Sequence, residues 1–417
     1  MNDENKKETY HWKNQGKITV KKIFILFLMF IFVCFACKFG YDKYQILDFQ
    51  KRYKEAPPGS IIKTGNMKKA RSEHCNIKLI DGSVLVVGGN KGAEIFNPKT
   101  GQYKLIDKNI KDISFNFHNY FLLNNGDVIF SNKYKFNKTS KKIIKINQNE
   151  EFYNSLYLSG HSTAISNTYI HPNKKNILLM PFFSQEYGFK LECYDIKTNS
   201  IIQCDKWVLD NYQQYLFPFN KIFQLDNDKC LILLTFDPDK YKESFSVEKI
   251  RPDAQSLDFV ILDFNKGKTS LKFPNVQSYN IKSAIFENNN VWLIDQNSNL
   301  FNFSTKDLKG NIKIEVPFGY AFNQSKLIRV NDDLILIISP VFSKPYKLLV
   351  SHYSIKNNRI LKTNEINYKN ISSRKINIVR SYDVLLLDDN TLLINGGQDG
   401  ISTSNSKVNE SFIYKFN

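Results

Sequence analysis

Hydrophobic positions fall into two regimes along the chain. Ile23 to Cys37 is an unbroken apolar run of 15 residues. From residue 60 onward the pattern changes to short apolar runs separated by polar turns. One turn recurs, at Asp81-Gly82, Asn125-Gly126, Lys174-Lys175, Asn227-Asp228, Asn288-Asn289, Asp332-Asp333 and Asp388-Asp389, with a mean spacing of about 51 residues. Each is followed by a run such as SVLVVGG, DVIFSN, NILLMPF, CLILLTF, NVWLID, LILIIS or TLLINGG. Continuous apolar runs of this length between turn signals suit strands buried on both faces. A second run precedes each turn (NIKLI, YFLL, KIFQL, SAIF, DVLLL). A third, more alternating run comes later (AEIFNP, KIIKIN, LECYDI, FVILDF, LFNFS, VSHYSI, FIYKFN). A fourth follows in six units (QYKLID, LYL, IIQC, SLKF, IKIEV, ILKTN).

Four antiparallel strands repeated with a period near 50 residues is the pattern of a β-propeller blade. The reading is therefore an all-β, seven-bladed propeller, with six to eight blades bracketing the count. The last unit stops at Asn417 on its third strand. Ser60 to Thr64 is a spare strand ahead of the first unit, and pairing it with Ser411 to Phe416 would complete the last blade and leave no bare edge.

The N-terminal run has a different meaning. Fifteen residues at 1.5 Å each span roughly 22 Å, short of the ~30 Å hydrocarbon core, but Ile18-Thr19-Val20 and Phe39 extend it. Lys6, Lys7, Lys13, Lys17, Lys21 and Lys22 precede it, against Asp3, Glu4 and Glu8. The positive-inside rule keeps such a tail cytoplasmic and sends the rest across. The organisation expected is a basic cytoplasmic tail (1–22), a transmembrane signal anchor (23–39), a stalk or linker (40–59) and the propeller (60–417), facing periplasm, cell surface or lumen. The 22-residue leader is long for a cleaved signal. A lipoprotein acylated at Cys37 is the alternative anchor.

Arg71 to Tyr103, RSEHCNIKLIDGSVLVVGGNKGAEIFNPKTGQY, resembles a kelch repeat: a strand, a DG turn, a strand ending in Gly88-Gly89, then a strand running into N-P-x-T-G and an aromatic. LLLDDNTLLINGGQDG, with Gly396-Gly397, matches its first half. Paired glycines turn the backbone sharply and admit a neighbouring strand. The match is close in these two units; the others keep the spacing without the glycine pair. The resemblance implies the kelch and galactose oxidase-like class of propellers, whose members usually bind through loops on one rim and the central channel. A copper site of the galactose oxidase kind would need convergent His and Tyr with a Cys cross-link, and nothing marks such a set.

Charge and side-chain chemistry then narrow the functional reading. Lys plus Arg total 58 and Asp plus Glu 40, a net charge of +18, which draws anionic partners. The excess is spread along the chain, whereas nucleic-acid binders gather it into a patch, so nucleic acid is disfavoured. Loops between second and third strands share one rim. They offer Lys133, Tyr134, Lys135 and Phe136; Tyr241, Lys242, Phe245, Lys249 and Arg251; and Phe342, Lys344, Tyr346 and Lys347. Aromatic faces stack on sugars, and cations pair with carboxylates. Among the six histidines no two have metal-ligand spacing, and no nucleophile elbow, P-loop or paired-cysteine zinc motif occurs. Nothing calls for a cofactor or metal. Cys193 and Cys204 stand opposite each other if their hairpin turn centres on Thr198-Asn199, which allows a disulfide in an oxidising compartment; two separate buried thiols is the alternative. The function expected is a membrane-anchored binding or scaffold module for a protein or acidic glycan. A sugar mutarotase or epimerase-like enzyme with its site at the channel is the second reading.

Overall fold

The computed structural model describes residues 4–72, 74–89, 92–108, 110, 120–123, 125–130, 134–146, 163–164, 169–170, 177–184, 188–202, 221–226, 229–234, 256–263, 267–277, 281–295, 299–305, 310–315, 325–341, 347–367, 378–399 and 407–416. The chain divides into two compact units. The first holds the helix α1 (Glu4–Glu55) and the turn Lys99–Gly101; the second holds Ala56–Pro98 and Gln102–Asn417.

Helix α1 runs unbroken through the apolar segment and past Cys37, so the expected stalk is helical as far as Glu55. Ile23 to Phe30 are all exposed. Their stretch has a mean hydropathy of 2.6, long and apolar enough to cross a membrane. A helix apolar on every side is stable in lipid, where each backbone group is satisfied within the helix.

The second unit is β. The chain enters it at β1 (Ile61–Lys63). The first sheet is β2 (His74–Lys78), β3 (Val84–Gly88), β4 (Ala93–Asn97) and β5 (Gln102–Asp107). The second is β6 (Tyr120–Leu122), β7 (Val128–Phe130), β8 (Tyr134–Asn137) and β9 (Lys142–Lys145). The third is β10 (Thr163–Ala164), β11 (Tyr169–Ile170), β12 (Ile177–Ser184), β13 (Gly188–Asp195) and β14 (Ser200–Ile202). The fourth is β15 (Lys221–Asp226), β16 (Lys229–Leu234), β17 (Ser256–Asp263) and β18 (Gly267–Gln277). The fifth is β19 (Ile281–Glu287), β20 (Asn290–Asp295), β21 (Asn299–Ser304) and β22 (Gly310–Glu315). The sixth is β23 (Lys326–Arg329), β24 (Leu334–Val341), β25 (Lys347–Ser354) and β26 (Arg359–Asn367). The last is β27 (Ile378–Asp388), β28 (Thr391–Asp399) and β29 (Ser411–Lys415), with β1 added beside β29. All the strand pairs described are antiparallel.

The last sheet is assembled from both ends of the β region, as the spare strand suggested. Ile61, Ile62 and Lys63 pair with Tyr414, Ile413 and Phe412. The ladder extends through Thr64 N to Ser411 O (3.1 Å) and Lys415 N to Ser60 O (2.9 Å).

Turn chemistry repeats from sheet to sheet. Asn288 and Asn289 take φ of 47° and 63°, the mirror-image turn that suits the twist of a two-residue hairpin. In the fifth, sixth and last sheets the residue after the third strand donates its amide to the first hairpin turn: Thr305 N to Asn289 O, Ile355 N to Asp333 O, and Phe416 N to Asn390 O. The third strands of the third and sixth sheets run into YDIKTN and YSIKNN. In both, the tyrosine hydroxyl donates to the amide oxygen of the closing asparagine, Tyr194 to Asn199 and Tyr353 to Asn358, each asparagine with positive φ.

Two expectations need correction. KIIKIN was read as the third strand of the second unit and LYL as its fourth. Instead β8 is the third and Lys142–Lys145 the fourth; LYL lies outside the described residues. The error follows from alternation: KIIK carries its pattern on an outer strand, while the real third strand is only four residues long and half polar. In the hairpin from β13 to β14, Cys193 pairs with Ile202, since the turn occupies 196–199, one residue earlier than the expected centre. Cys204 lies outside the described residues.

Neighbouring sheets share apolar cores. Ile77, Leu85 and Val87 pack with Val128, Phe130 and Phe136. Ile129 and Leu123 pack with Tyr194. Phe223 lies 5.8 Å from Phe286. Trp292 and Ile294 pack with Ile335, Ile337 and Tyr353. Leu336, Ile338 and Val350 pack with Ile394, Phe412 and Tyr414.

Candidate functional site

The rim expected from sequence is described only in part. Tyr134, Lys135 and Phe136 belong to strand β8 instead of a loop. Phe136 is buried, with its ring in the core shared by the first two sheets. Lys135 Nζ lies 3.3 Å from Asp127 Oδ2 in a half-buried pair. Phe136 therefore serves packing, and the alternation of β8 is what turns it inward. Lys347 opens β25 and pairs with Glu365 across to β26. Lys133, Tyr241, Lys242, Phe245, Lys249, Arg251, Phe342, Lys344 and Tyr346 lie outside the described residues.

The densest polar chemistry that is described lies elsewhere, where the first and last sheets meet. Arg71 precedes β2, and its side chain is fully buried beside fully buried Glu94 of β4. Its Nε and Nη2 each lie 3.1 Å from Glu94 Oε1, and Nη1 donates to Gly88 O at 2.7 Å. Glu94 also accepts the amides of Lys68 (2.6 Å) and Lys69 (3.0 Å). Burial pushes the guanidinium pKa down, opposed by the charge and hydrogen bonds of Glu94. The backbone of Arg71 reaches the other sheet, with N to Val408 O (2.9 Å) and Gly397 N to Arg71 O (2.8 Å).

The two glycine pairs make this approach possible. Gly88, Gly89, Gly396 and Gly397 have φ of 82°, 66°, 64° and 107°, a region that costs other residues ~1–2 kcal/mol. A β-carbon on Gly89 would stand 2.0 Å from Ser72 O, and one on Gly396 would stand 2.4 Å from the His74 ring and 2.7 Å from Arg71 O. Gly89→Ala is accordingly expected to lower the unfolding free energy by more than the ~1–2 kcal/mol of the backbone alone, measured by urea denaturation of a soluble chain beginning at Ala56. Gly59→Ala is the comparison: its φ is 85° but nothing lies within 4 Å of the added carbon.

Beyond the glycines an amide network crosses the joint. Asn76 of β2 and Asn395 of β28 pair reciprocally, Nδ2 to Oδ1, at 2.8 and 3.0 Å. Asn395 Nδ2 also donates to Tyr103 OH (3.1 Å), and Tyr103 OH meets Ser411 Oγ at 2.6 Å. With Asn395 Oδ1 fixed as an acceptor, His74 must donate from Nε2, at 2.7 Å. Asp383 of β27 accepts Asn76 N (2.7 Å) and Val384 N (2.9 Å) and pairs with Lys326 of β23. Burial lowers the His74 pKa to about 4, with Asp383 acting the other way, and pushes the Tyr103 hydroxyl well up. Cys75 beside them is a fully buried thiol whose pKa burial raises.

The amides and carboxylates of this network are hydrogen-bonded, whereas His74 Nδ1 has no partner. Both carboxylates hold several donors, and Lys326 faces Asp383. Among the described residues no three His, Cys, Asp or Glu side chains are grouped to hold a metal ion. His74 opens β2, and the sequence does not show its partner. The available signal was the polar Asn395 inside the otherwise apolar run LLINGG.

No family model matches the chain, and no curated protein does. Among solved structures it is similar to the extracellular domain of a hybrid two-component system from B. thetaiotaomicron, at 13% identity and a TM-score of 0.49 over 85% of this chain. The chain spans 42% of the length of that structure. It is also similar to a computationally designed protein, Ika8, at 10% identity and a TM-score of 0.44, over 85% of this chain and 99% of the other.

Proposed function

We propose that the chain is a membrane-anchored, seven-bladed kelch-type β-propeller that works as a non-catalytic binding module for an anionic protein or acidic glycan on the non-cytoplasmic side. One observation carries the fold part of this reading: the last sheet takes its outer strand from the start of the β region. Such pairing closes a ring of blades and removes the open edge. Shared cores or ring contacts between the first and second, second and third, fourth and fifth, fifth and sixth, and sixth and last sheets, with the hydrogen-bonded joint between last and first, support the same arrangement.

Exposure of the apolar stretch Ile23 to Phe30 and the lysines ahead of it support an anchor with its N-terminus inside. Binding is favoured over catalysis because proton transfer needs an acid and a base that can reach a substrate. Glu94 and Asp383 are buried and hold fixed donors instead. The surplus of 18 positive charges gives the field that would gather an anionic partner.

The test is capture by the soluble chain from Ala56 onward of a carboxylated or sulfated glycan and of an acidic protein, against neutral dextran. Retention should fall steeply with salt. The triple variant Lys242→Ala, Lys249→Ala, Arg251→Ala should weaken it about tenfold or more if each lost charge-assisted contact is worth ~0.5 kcal/mol or better. Equal retention of neutral and anionic ligands, or no change in the triple variant, defeats the rim assignment.

A further inference from the structure

The joint between the first and last sheets differs in kind from its neighbours. The sixth and last sheets, and the first and second, are joined by apolar clusters. Across the joint between first and last, the contacts described above are hydrogen bonds: His74 to Asn395, Asn76 to Asn395 and Asp383, and Tyr103 to Asn395 and Ser411. Hydrogen bonds of this kind are directional and depend on protonation state, which apolar contacts do not.

His74 is the titratable group at the centre of that network. It is 2% exposed, its Nε2–H is committed to Asn395, and its Nδ1 has no hydrogen-bond partner. A proton on Nδ1 would create a buried donor with nothing to accept from it. We propose that this joint is an acid-opened latch, with His74 as the group whose protonation releases the first sheet from the last. The charged groups around the ring do not neutralise it. Arg71, just before β2, and Lys326, on β23, both disfavour the imidazolium; Asp383, on β27, favours it but is already engaged by Lys326, Asn76 N and Val384 N. Glu94, on β4, is taken up by Arg71. Tyr103, on β5, stays protonated, and Asn395, Gly396 and Ser411 from β28 and β29 carry no charge.

The direction follows from proton linkage. In the closed joint the His74 pKa lies near 4, and in an open, solvated joint near the ordinary ~6.5. The open state therefore binds more protons as pH falls from about 6.5, and its advantage levels off near pH 4. Between pH 7.5 and pH 5 the opening equilibrium shifts by roughly thirtyfold.

The experiment is hydrogen–deuterium exchange on the full chain in detergent micelles from pH 7.5 to 4, corrected for the intrinsic pH dependence of exchange. Peptides covering 74–78, 391–397 and 411–415 should lose protection on acidification, reversibly and by that factor at pH 5, while peptides covering 291–294, away from both buried histidines, keep theirs. His74→Gln retains a donor for Asn395 and should abolish the loss; His352→Gln, at the other buried histidine in the described residues, should not. Three outcomes overturn the latch: protection lost equally in every sheet, no loss above pH 4, or the same loss in His74→Gln. Should His74→Gln not fold, the wild-type pattern decides alone, because only a loss confined to the joint fits.

Discussion

Glu94→Ala is expected to destabilise the β region by about 3–5 kcal/mol, the usual cost of stripping one partner from a buried ion pair. The substitution strips the carboxylate from the fully buried Arg71 guanidinium, which keeps its bond to Gly88 O, and frees the amides of Lys68 and Lys69. Glu94→Gln should cost nearly as much. Its single amide oxygen can keep the bonds now made by Oε1, but its NH2 would face the Lys68 amide, donor against donor. Arg71→Leu combined with Glu94→Leu should recover part of the loss, because removing both charges also removes the unpaired one. Glu365→Ala sets the scale for an exposed pair: the Glu365 side chain is 58% accessible and its partner Lys347 26%, so under about 1 kcal/mol is at stake. Urea midpoints of the soluble chain from Ala56 would read all four variants. If Glu94→Ala moves the midpoint no further than Glu365→Ala, the Arg71–Glu94 pair is not what holds the joint.

What could be read from the sequence tracks the range over which each signal acts. VLVVG, VWLI and LILIIS are local signals: four or more apolar residues bounded by turn residues leave one plausible element, and each is a second strand in its sheet. The turns at Asp81-Gly82 and Asn288-Asn289 are equally local, since the side chain of Asp81 accepts from Ser83 two residues on and the asparagines tolerate positive φ. The second sheet was misread where local evidence is thin, because β7 has three residues and β8 four. The joint was largely invisible for a different reason. His74 and Asn395 are 321 positions apart, and only the folded topology makes them neighbours. The glycine pairs were the one part that showed, because a backbone constraint leaves a residue type behind. An amide that fits one partner leaves no such trace.

A soluble chain beginning at Gly65 is expected to be less stable than one beginning at Ala56, and to self-associate. The loss includes the ladder of β1 to β29, the bonds of Ser60 and Thr64 to Lys415 and Ser411, and the buried side chain of Ile62, 4% exposed. Burial of one isoleucine is worth ~2 kcal/mol and each net hydrogen bond ~1 kcal/mol. Ordering five terminal residues costs ~1–2 kcal/mol each, which offsets much of that sum, so the folded ladder alone does not decide the outcome. What does is the state left behind. With β1 gone, β29 presents an unpaired edge made of Ser411, Phe412, Ile413, Tyr414 and Lys415, apolar at its centre and without a proline or bulge to protect it. A second molecule can pair with that edge, so light scattering should show dimers or larger species for the shorter chain and monomers for the longer one. A peptide of residues 59–65 added in trans should bind the vacated edge as a strand, raise the urea midpoint toward that of the longer chain and suppress the association. A scrambled peptide should do neither. If the two chains unfold at the same midpoint and both stay monomeric, the closing strand is decoration, and the ring proposed from it loses its main support.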